Sequence, residues 1–160
     1  MTVEPKIIEL AETHLVGMHS VMSRSADSTP ALWRSFMPRR GEVTHRINSN
    51  FVSMQIFPQG PAQVADPEAT FTKWAAVEVS ADSNLPEGMQ RYTLAGGLYA
   101  VFHHQGPATD ISTFLYAFGT WLPDSAYTLD DREHFEVLPE HYQPMDPRAE
   151  EDIWIPITAQ

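Results

Sequence analysis

The chain has 160 residues, no cysteine, and 10 lysines and arginines against 21 aspartates and glutamates, for a formal net charge of −11. This length predicts one domain, residues 1–160, and the absence of cysteine excludes disulfides, thiol catalysis and cysteine metal sites. The excess of acids disfavours direct DNA binding and anionic membrane surfaces, because both attract proteins through lysine and arginine.

The first half of the chain predicts a strand, a helix and two more strands. Residues 6–22 are rich in β-branched side chains and partly alternate, which is typical of one long strand. Thr29 can cap a helix that begins at Pro30, and the apolar side chains after it share one helical face. The stretches 51–58 and 71–80 alternate as strands do.

The second half predicts the same order of elements after a turn-rich joint at residues 82–88. Strand 97–105 leads into a helix over 109–122, and strands 134–139 and 151–158 come after it. The apolar residues of this helix fall at helical spacing, which predicts one buried stripe. The stripe consists of Ile111, Phe114, Leu115, Phe118 and Leu122.

The repeated order indicates an internal duplication. HLVGMHSV is similar in character to GLYAVFHH, and three further segments recur in the same order. We therefore predict an α+β fold of two tandem β-α-β-β modules, residues 6–81 and 92–158, related by pseudo-twofold symmetry. Neither module can cover its antiparallel sheet alone, so the two should pack together and leave a central ligand cleft.

The N-terminal segment and the hydropathy of the chain predict a cytoplasmic location without membrane contact. The first 14 residues contain early acids and no long apolar run, which is unlike a signal peptide. No apolar run approaches the roughly 20 residues that a membrane-spanning helix needs.

Four segments of the chain together form a recognisable pattern, and they are GGLYAVFHHQGP, FGTWLPDSAY, HFEVLPE and EEDIWIPI. They resemble the GyrI-like small-molecule-binding family, also known as the bacterial transcription-activator effector-binding domain. The resemblance implies two tandem β-α-β-β modules and a central pocket that is lined by aromatics and contains one buried glutamate. The family's domain commonly lies after a helix-turn-helix module, but here the first predicted strand begins within ten residues, so we expect a free-standing member.

Glu136 corresponds best to the pocket glutamate of the family. On a strand, Glu136 and Leu138 face one way while Phe135 and Val137 face the other. Periodicity alone favours an exposed acid on an edge strand, and the resemblance reverses that preference. Burial of a carboxylate costs several kcal/mol, so its pKa rises or it acquires donors or a cation.

Aromatic residues near this acid are predicted to complete a site for flat apolar cations, because aromatic faces attract cations by roughly 0.5–2 kcal/mol each. The alternative for each of them is an ordinary position in the core. The predicted ligand-binding aromatics are Trp154, Trp121, Tyr127, Trp74 and Tyr99.

No metal or cofactor site is predicted. His103 and His104 are adjacent on a strand and should point to opposite faces, so they cannot converge on one ion. The sequence contains no nucleophilic serine motif, phosphate loop or zinc signature.

The leading functional hypothesis is binding, without catalysis, of an apolar, cationic or aromatic drug or toxin. The alternative is a hydrolase that uses Glu136 against electrophilic cyclopropane-type toxins, an activity that the resemblance implies for stand-alone relatives. A third hypothesis is a protein partner, as in a gyrase inhibitor, bound through the acidic surface. Either a monomer or a homodimer fits these expectations.

Overall fold

The computed structural model describes residues 4–160, which form a nine-stranded β-sheet and short helices. The strands are β1 (Lys6–Leu10), β2 (Thr13–Met22), β3 (Phe51–Ile56), β4 (Phe71–Val79), β5 (Gln90–Leu94), β6 (Gly97–Gln105), β7 (Tyr127–Leu129), β8 (His134–Leu138) and β9 (Glu150–Ala159). The helices are α1 (Thr29–Phe36), α2 (Ser112–Tyr116) and α3 (Leu122–Asp124), with a π-helical turn at Ala117–Trp121 and 3₁₀ turns at Met37–Glu42 and Pro61–Ala65.

The strands lie in the order β1-β6-β9-β8-β3-β4-β2-β5, and β7 pairs with β9 beside this path. All of these pairings are antiparallel. The predicted α+β class is therefore confirmed. The two predicted modules meet where β3 pairs with β8 and where β1 pairs with β6, so they share one continuous sheet. Their superposition about a pseudo-twofold axis stays a prediction.

Two bent segments connect the edges of this sheet. One of them divides residues 6–22, so the prediction of one long strand there is wrong. That segment forms β1, which pairs with β6, and β2, which pairs with β4 and β5. The bend before β6 crosses close to the bend after β1. At this crossing Gly96 has φ +93°, and a Cβ on it would lie 2.3 Å from the carbonyl oxygen of Leu10. Only glycine fits this crossing. The short strands β5 and β7 were not predicted from the sequence.

The two faces of the sheet bury different cores. Cross-strand partners share a face, and Glu136 pairs with Ser53 on β3 and with Ile153 on β9. On this face, which we term the helix face, α1 packs over β2 and β4, and α2 packs over β6 and β9. The opposite face carries an apolar cluster that we term the rear core. Its buried members are Leu15, Val52, Met54, Trp74, Ala76, Leu94, Tyr99, Val101 and Phe135.

The second helix differs from the predicted helix 109–122. It begins at Ser112, and its π-helical turn contains Gly119, a residue that weakens α-helical geometry. Ile111 and Leu115 of the predicted stripe are 54% and 63% exposed. Because Ile111 lies before the helix and Leu115 faces solvent, the packing face consists of Phe114, Phe118 and Leu122 of the predicted stripe together with Ala117 and Trp121. No helix within residues 4–160 has the length and apolar character to cross a membrane.

Candidate functional site

A cavity of about 670 Å³ lies on the helix face between α1 and the start of α2. Ligand sites in proteins commonly enclose 300–1,000 Å³, so this volume suits a small molecule. The loop between β8 and β9 forms one wall through Pro139, Tyr142 and Pro144. The aromatic lining comes from four residues on different elements. These are Trp33, Phe51, Phe114 and Tyr142.

The floor of the cavity carries charged side chains on three strands of the sheet. Lys73 comes from β4, Glu136 from β8 and Glu151 from β9. Strand alternation places each of them on the helix face, in phase with buried apolar neighbours such as Ala75 and Ile153. Charged groups on a buried face cost stability unless they are compensated, so this arrangement indicates a site rather than a core.

Glu136 has an unusual electrostatic environment. Burial raises the pKa of this carboxyl to about 7, and the negative charge of Glu151 adds to the effect. The positive charge of Lys73 and a hydrogen bond donated by Gln55 Nε2 to Glu136 Oε1, 3.2 Å long, act in the opposite direction. Glu136 can therefore exchange a proton near neutral pH, and its ionised form can attract a cation in the cavity.

Lys73 is the basic partner of these acids. Its side chain is 7% exposed, and burial lowers the pKa of its ammonium group. The carboxylate of Glu136 opposes this shift most strongly, followed by Asp27 and Glu151. Burial has the largest effect on this pKa. The loss of water around the charged amine costs more than the three carboxylates recover through their charge.

Two polar pairs hold the rim of the cavity. The Tyr142 hydroxyl donates a hydrogen bond of 2.8 Å to Glu151 Oε2, and burial together with Glu151 raises the pKa of Tyr142. His104 Nδ1 lies 2.7 Å from Thr113 Oγ1, whereas His104 Nε2 is buried without a hydrogen-bond partner among residues 4–160. These pairs fix the loop after β8 and the first turn of α2 against the sheet.

His103 and His104 point to opposite faces of β6, as strand alternation predicts. His103 is exposed and places Nδ1 2.8 Å from Asp152 and Nε2 2.8 Å from Glu150. Both carboxylates raise the pKa of His103. His103 therefore lies outside the cavity, whereas His104 lines it.

The structure separates Glu136 from the five aromatics predicted beside it. Glu136 lines the cavity, but none of the five aromatics does. Trp74, Tyr99 and Trp154 pack in or against the rear core, since Trp154 pairs with Phe135 and shares its face. Trp121 and Tyr127 stack on each other at 6.2 Å in the core under α2.

Several cavity residues were not singled out in the sequence, although strand alternation contains a signal for two of them. Lys73 is in phase with Phe71, Ala75 and Val77, and Glu151 is in phase with the isoleucines of β9. A charged residue that interrupts a buried apolar alternation marks a candidate site. Trp33 and Tyr142 carry no comparable signal, because their positions depend on how a helix and a loop pack over the sheet.

The comparisons with known proteins concern the family and the fold of the chain. Residues 3–158 match the GyrI-like small molecule binding domain. The transcriptional regulator BrlR of Pseudomonas aeruginosa is 30% identical over 154 residues, which cover 95% of this chain and 54% of BrlR. The chain thus spans about half the length of that relative.

Two solved structures have the same fold. The EcmrR C-terminal domain superposes with a TM-score of 0.71 at 9% identity, over 100% of both chains. SAV2435 bound to tetraphenylphosphonium superposes with a TM-score of 0.66 at 16% identity, over 97% of this chain and 94% of SAV2435. With the match over residues 3–158, these findings show that the chain belongs to the GyrI-like small molecule binding domain family.

Proposed function

We propose that the cavity on the helix face binds a mostly apolar, aromatic small molecule that carries a positive charge, and that Glu136 is the acid that recognises the charge. The observation that carries this proposal is a carboxyl group with a pKa of about 7 on the floor of a 670 Å³ cavity. A ligand cation near this group would stabilise its ionised form and recover part of the cost of burying it.

The balance of charges in the lining supports a cationic ligand. The acidic lining residues are Asp27, Asp110, Glu136, Glu140 and Glu151, against the single lysine Lys73. A negative potential concentrated in a cavity with apolar walls attracts cations, and the faces of Trp33 and Phe114 can add cation–π contacts. SAV2435, which has the same fold, has been solved with the lipophilic cation tetraphenylphosphonium.

Calorimetric titration with tetraphenylphosphonium tests this proposal. At pH 8, where Glu136 is mostly ionised, Glu136→Gln should weaken binding by about 2 kcal/mol or more, close to thirtyfold in Kd. The parent should also bind more tightly at pH 8 than at pH 6, because ionisation of Glu136 creates the attracting charge. In Glu136→Gln this pH dependence should be lost.

Glu9→Gln is the matched control, because it removes one negative charge from an exposed position on β1 outside the cavity. This variant should bind tetraphenylphosphonium as the parent does. Equal affinity of Glu136→Gln and the parent at pH 8 would refute the role of Glu136.

Hydrolysis of an electrophilic, cyclopropane-bearing toxin is the second candidate. It is favoured by the pKa of Glu136, since a general base works best when its pKa lies near the working pH. Product analysis by mass spectrometry separates the two candidates. A hydrolase should convert the substrate with multiple turnovers and lose turnover in Glu136→Gln while retaining affinity, whereas a binding protein should release the toxin unchanged.

A further inference from the structure

The amine of Lys73 has an environment that ligand binding alone does not require. Its side chain lines the cavity and is 7% exposed. Glu136, Asp27 and Glu151 act on its amine through their charge alone, without a hydrogen bond from it. A structural lysine in a protein interior is normally paired, because an isolated buried ammonium is costly.

This environment favours the neutral amine, which is the nucleophilic form of lysine. Burial lowers the pKa of Lys73, although Glu136, Asp27 and Glu151 partly oppose the shift. Each unit by which the pKa falls raises the unprotonated fraction at neutral pH about tenfold. Desolvation in an apolar pocket is a known way in which lysine is activated for Schiff-base chemistry.

An acid lies on the same floor of the cavity. Lys73 is the cross-strand partner of Gln55, and Gln55 donates its side-chain hydrogen bond to Glu136. The acid and the amine are thus separated by a single intervening strand, β3, and both side chains face the cavity. With a pKa of about 7, Glu136 can both donate and accept a proton at neutral pH.

We propose that Lys73 captures an apolar or aromatic aldehyde as an imine within the cavity, with Glu136 as the proton donor and acceptor. The Lys73 nitrogen attacks the carbonyl carbon, and a proton moves from nitrogen to oxygen to give a carbinolamine. The Glu136 carboxyl then protonates the hydroxyl, which leaves as water as the C=N bond forms, and the carboxylate takes back a proton from nitrogen. One aldehyde and one amine give one imine and one water, with no oxidant or reductant. This inference rests on the proposed function, because it uses the same cavity.

The sequence supplies an internal control for a labelling experiment. Lys6 and Lys73 are the only lysines of the chain, and Lys6 is exposed on β1. The folded protein is treated with 2-naphthaldehyde and sodium cyanoborohydride at pH 7, since the hydride reduces any imine to a stable secondary amine. Peptide mapping by mass spectrometry then measures labelling at Lys73, at Lys6 and at the α-amino group separately.

Lys73 should react faster than Lys6, because burial lowers the pKa of Lys73 and so raises its unprotonated fraction at pH 7. Labelling of Lys73 should persist in Lys6→Arg and be blocked by tetraphenylphosphonium. Glu136→Gln should label more slowly at Lys73, and its rate should lose the pH dependence near 7 that the parent shows. Reaction of Lys73 no faster than that of Lys6 would overturn the imine proposal.

The same samples distinguish failure of this inference from failure of the proposed function. If tetraphenylphosphonium binds by calorimetry but Lys73 is not labelled preferentially, the imine proposal fails and the binding site stands. If Lys73 is labelled rapidly but tetraphenylphosphonium neither binds nor protects it, the imine proposal stands and the cationic ligand is wrong. Lys73→Met should lose this labelling, and a circular dichroism spectrum like that of the parent would show that the variant is folded.

Discussion

Phe135 and Glu136 are neighbours on β8, yet the two faces of the sheet give them opposite environments. Phe135 is 4% exposed and stacks on Trp154 at 5.1 Å in the rear core. Glu136 faces a cavity with a lysine, a second glutamate and aromatic walls. The rear core gains stability from closely packed apolar contacts, whereas the helix face keeps charges that reduce stability and suit a ligand. One side of this strand therefore belongs to a packed core, and the other side faces the cavity for which we propose a role in ligand recognition.

Truncation of the rear core should have the largest effect on stability. Phe135→Ala should lower the free energy of unfolding by about 3–5 kcal/mol, because it opens a void in a packed aromatic cluster. The affinity of the folded protein for tetraphenylphosphonium should change by no more than about twofold, since the side chain faces away from the cavity. Urea denaturation and calorimetry measure the two effects. A large loss of affinity in the folded variant would show that the two faces are coupled.

The pH dependence of stability should reveal two opposing titrations on β8. The folded protein keeps the Glu136 proton to about pH 7, while the unfolded chain releases it near the ordinary value of 4.5. Stability from this group is thus lost as pH rises from 4.5 to 7. His134 acts in the opposite sense, because burial and Arg132 lower its pKa from 6.5 to about 4. Its contribution is lost as pH falls from 6.5 to 4, and each effect amounts to about 3 kcal/mol.

The free energy of unfolding of the parent should therefore change little between pH 4.5 and 6.5. In each single variant it should change with pH in one direction. Glu136→Gln should lose stability as pH falls, because His134 then titrates alone. His134→Phe should lose stability as pH rises, because Glu136 then titrates alone. Parallel pH profiles of the two variants, measured by urea denaturation, would contradict these assignments.

Removal of the lysine from the cavity should have a smaller effect on binding. At pH 6, where a larger fraction of the Lys73 amine is protonated than at pH 8, Lys73→Met should strengthen tetraphenylphosphonium binding by up to about 1–2 kcal/mol, roughly five- to thirtyfold in Kd, because a like charge at the floor has gone. Neutral triphenylphosphine oxide should show little change, which makes it the matched probe. Weaker binding of the cation by Lys73→Met would show that the amine holds the ligand in place rather than repelling it.

The contrast between the two faces also explains what the sequence could and could not predict. Strand alternation and the resemblance to a family identify the α+β class and place Glu136 on the face opposite Phe135. The predicted aromatics were chosen because they lie near Glu136 in the sequence or at related positions. The cavity walls depend instead on tertiary packing, which brings Trp33 of α1 and Tyr142 of a loop to the same floor. The division of strand 6–22 depends on the close crossing at Gly96, which no local pattern reveals.

The most direct test of the account uses the four tryptophans of the chain, because only Trp33 lines the cavity. In a ¹H–¹⁵N correlation spectrum each indole gives one signal, and Trp33→Phe assigns that of Trp33. On titration with tetraphenylphosphonium the account predicts a large, saturable shift of the Trp33 signal. The signals of Trp74, Trp121 and Trp154 should move little. A saturable shift of any of those three with Trp33 unmoved would contradict the claim that the ligand binds in the cavity on the helix face.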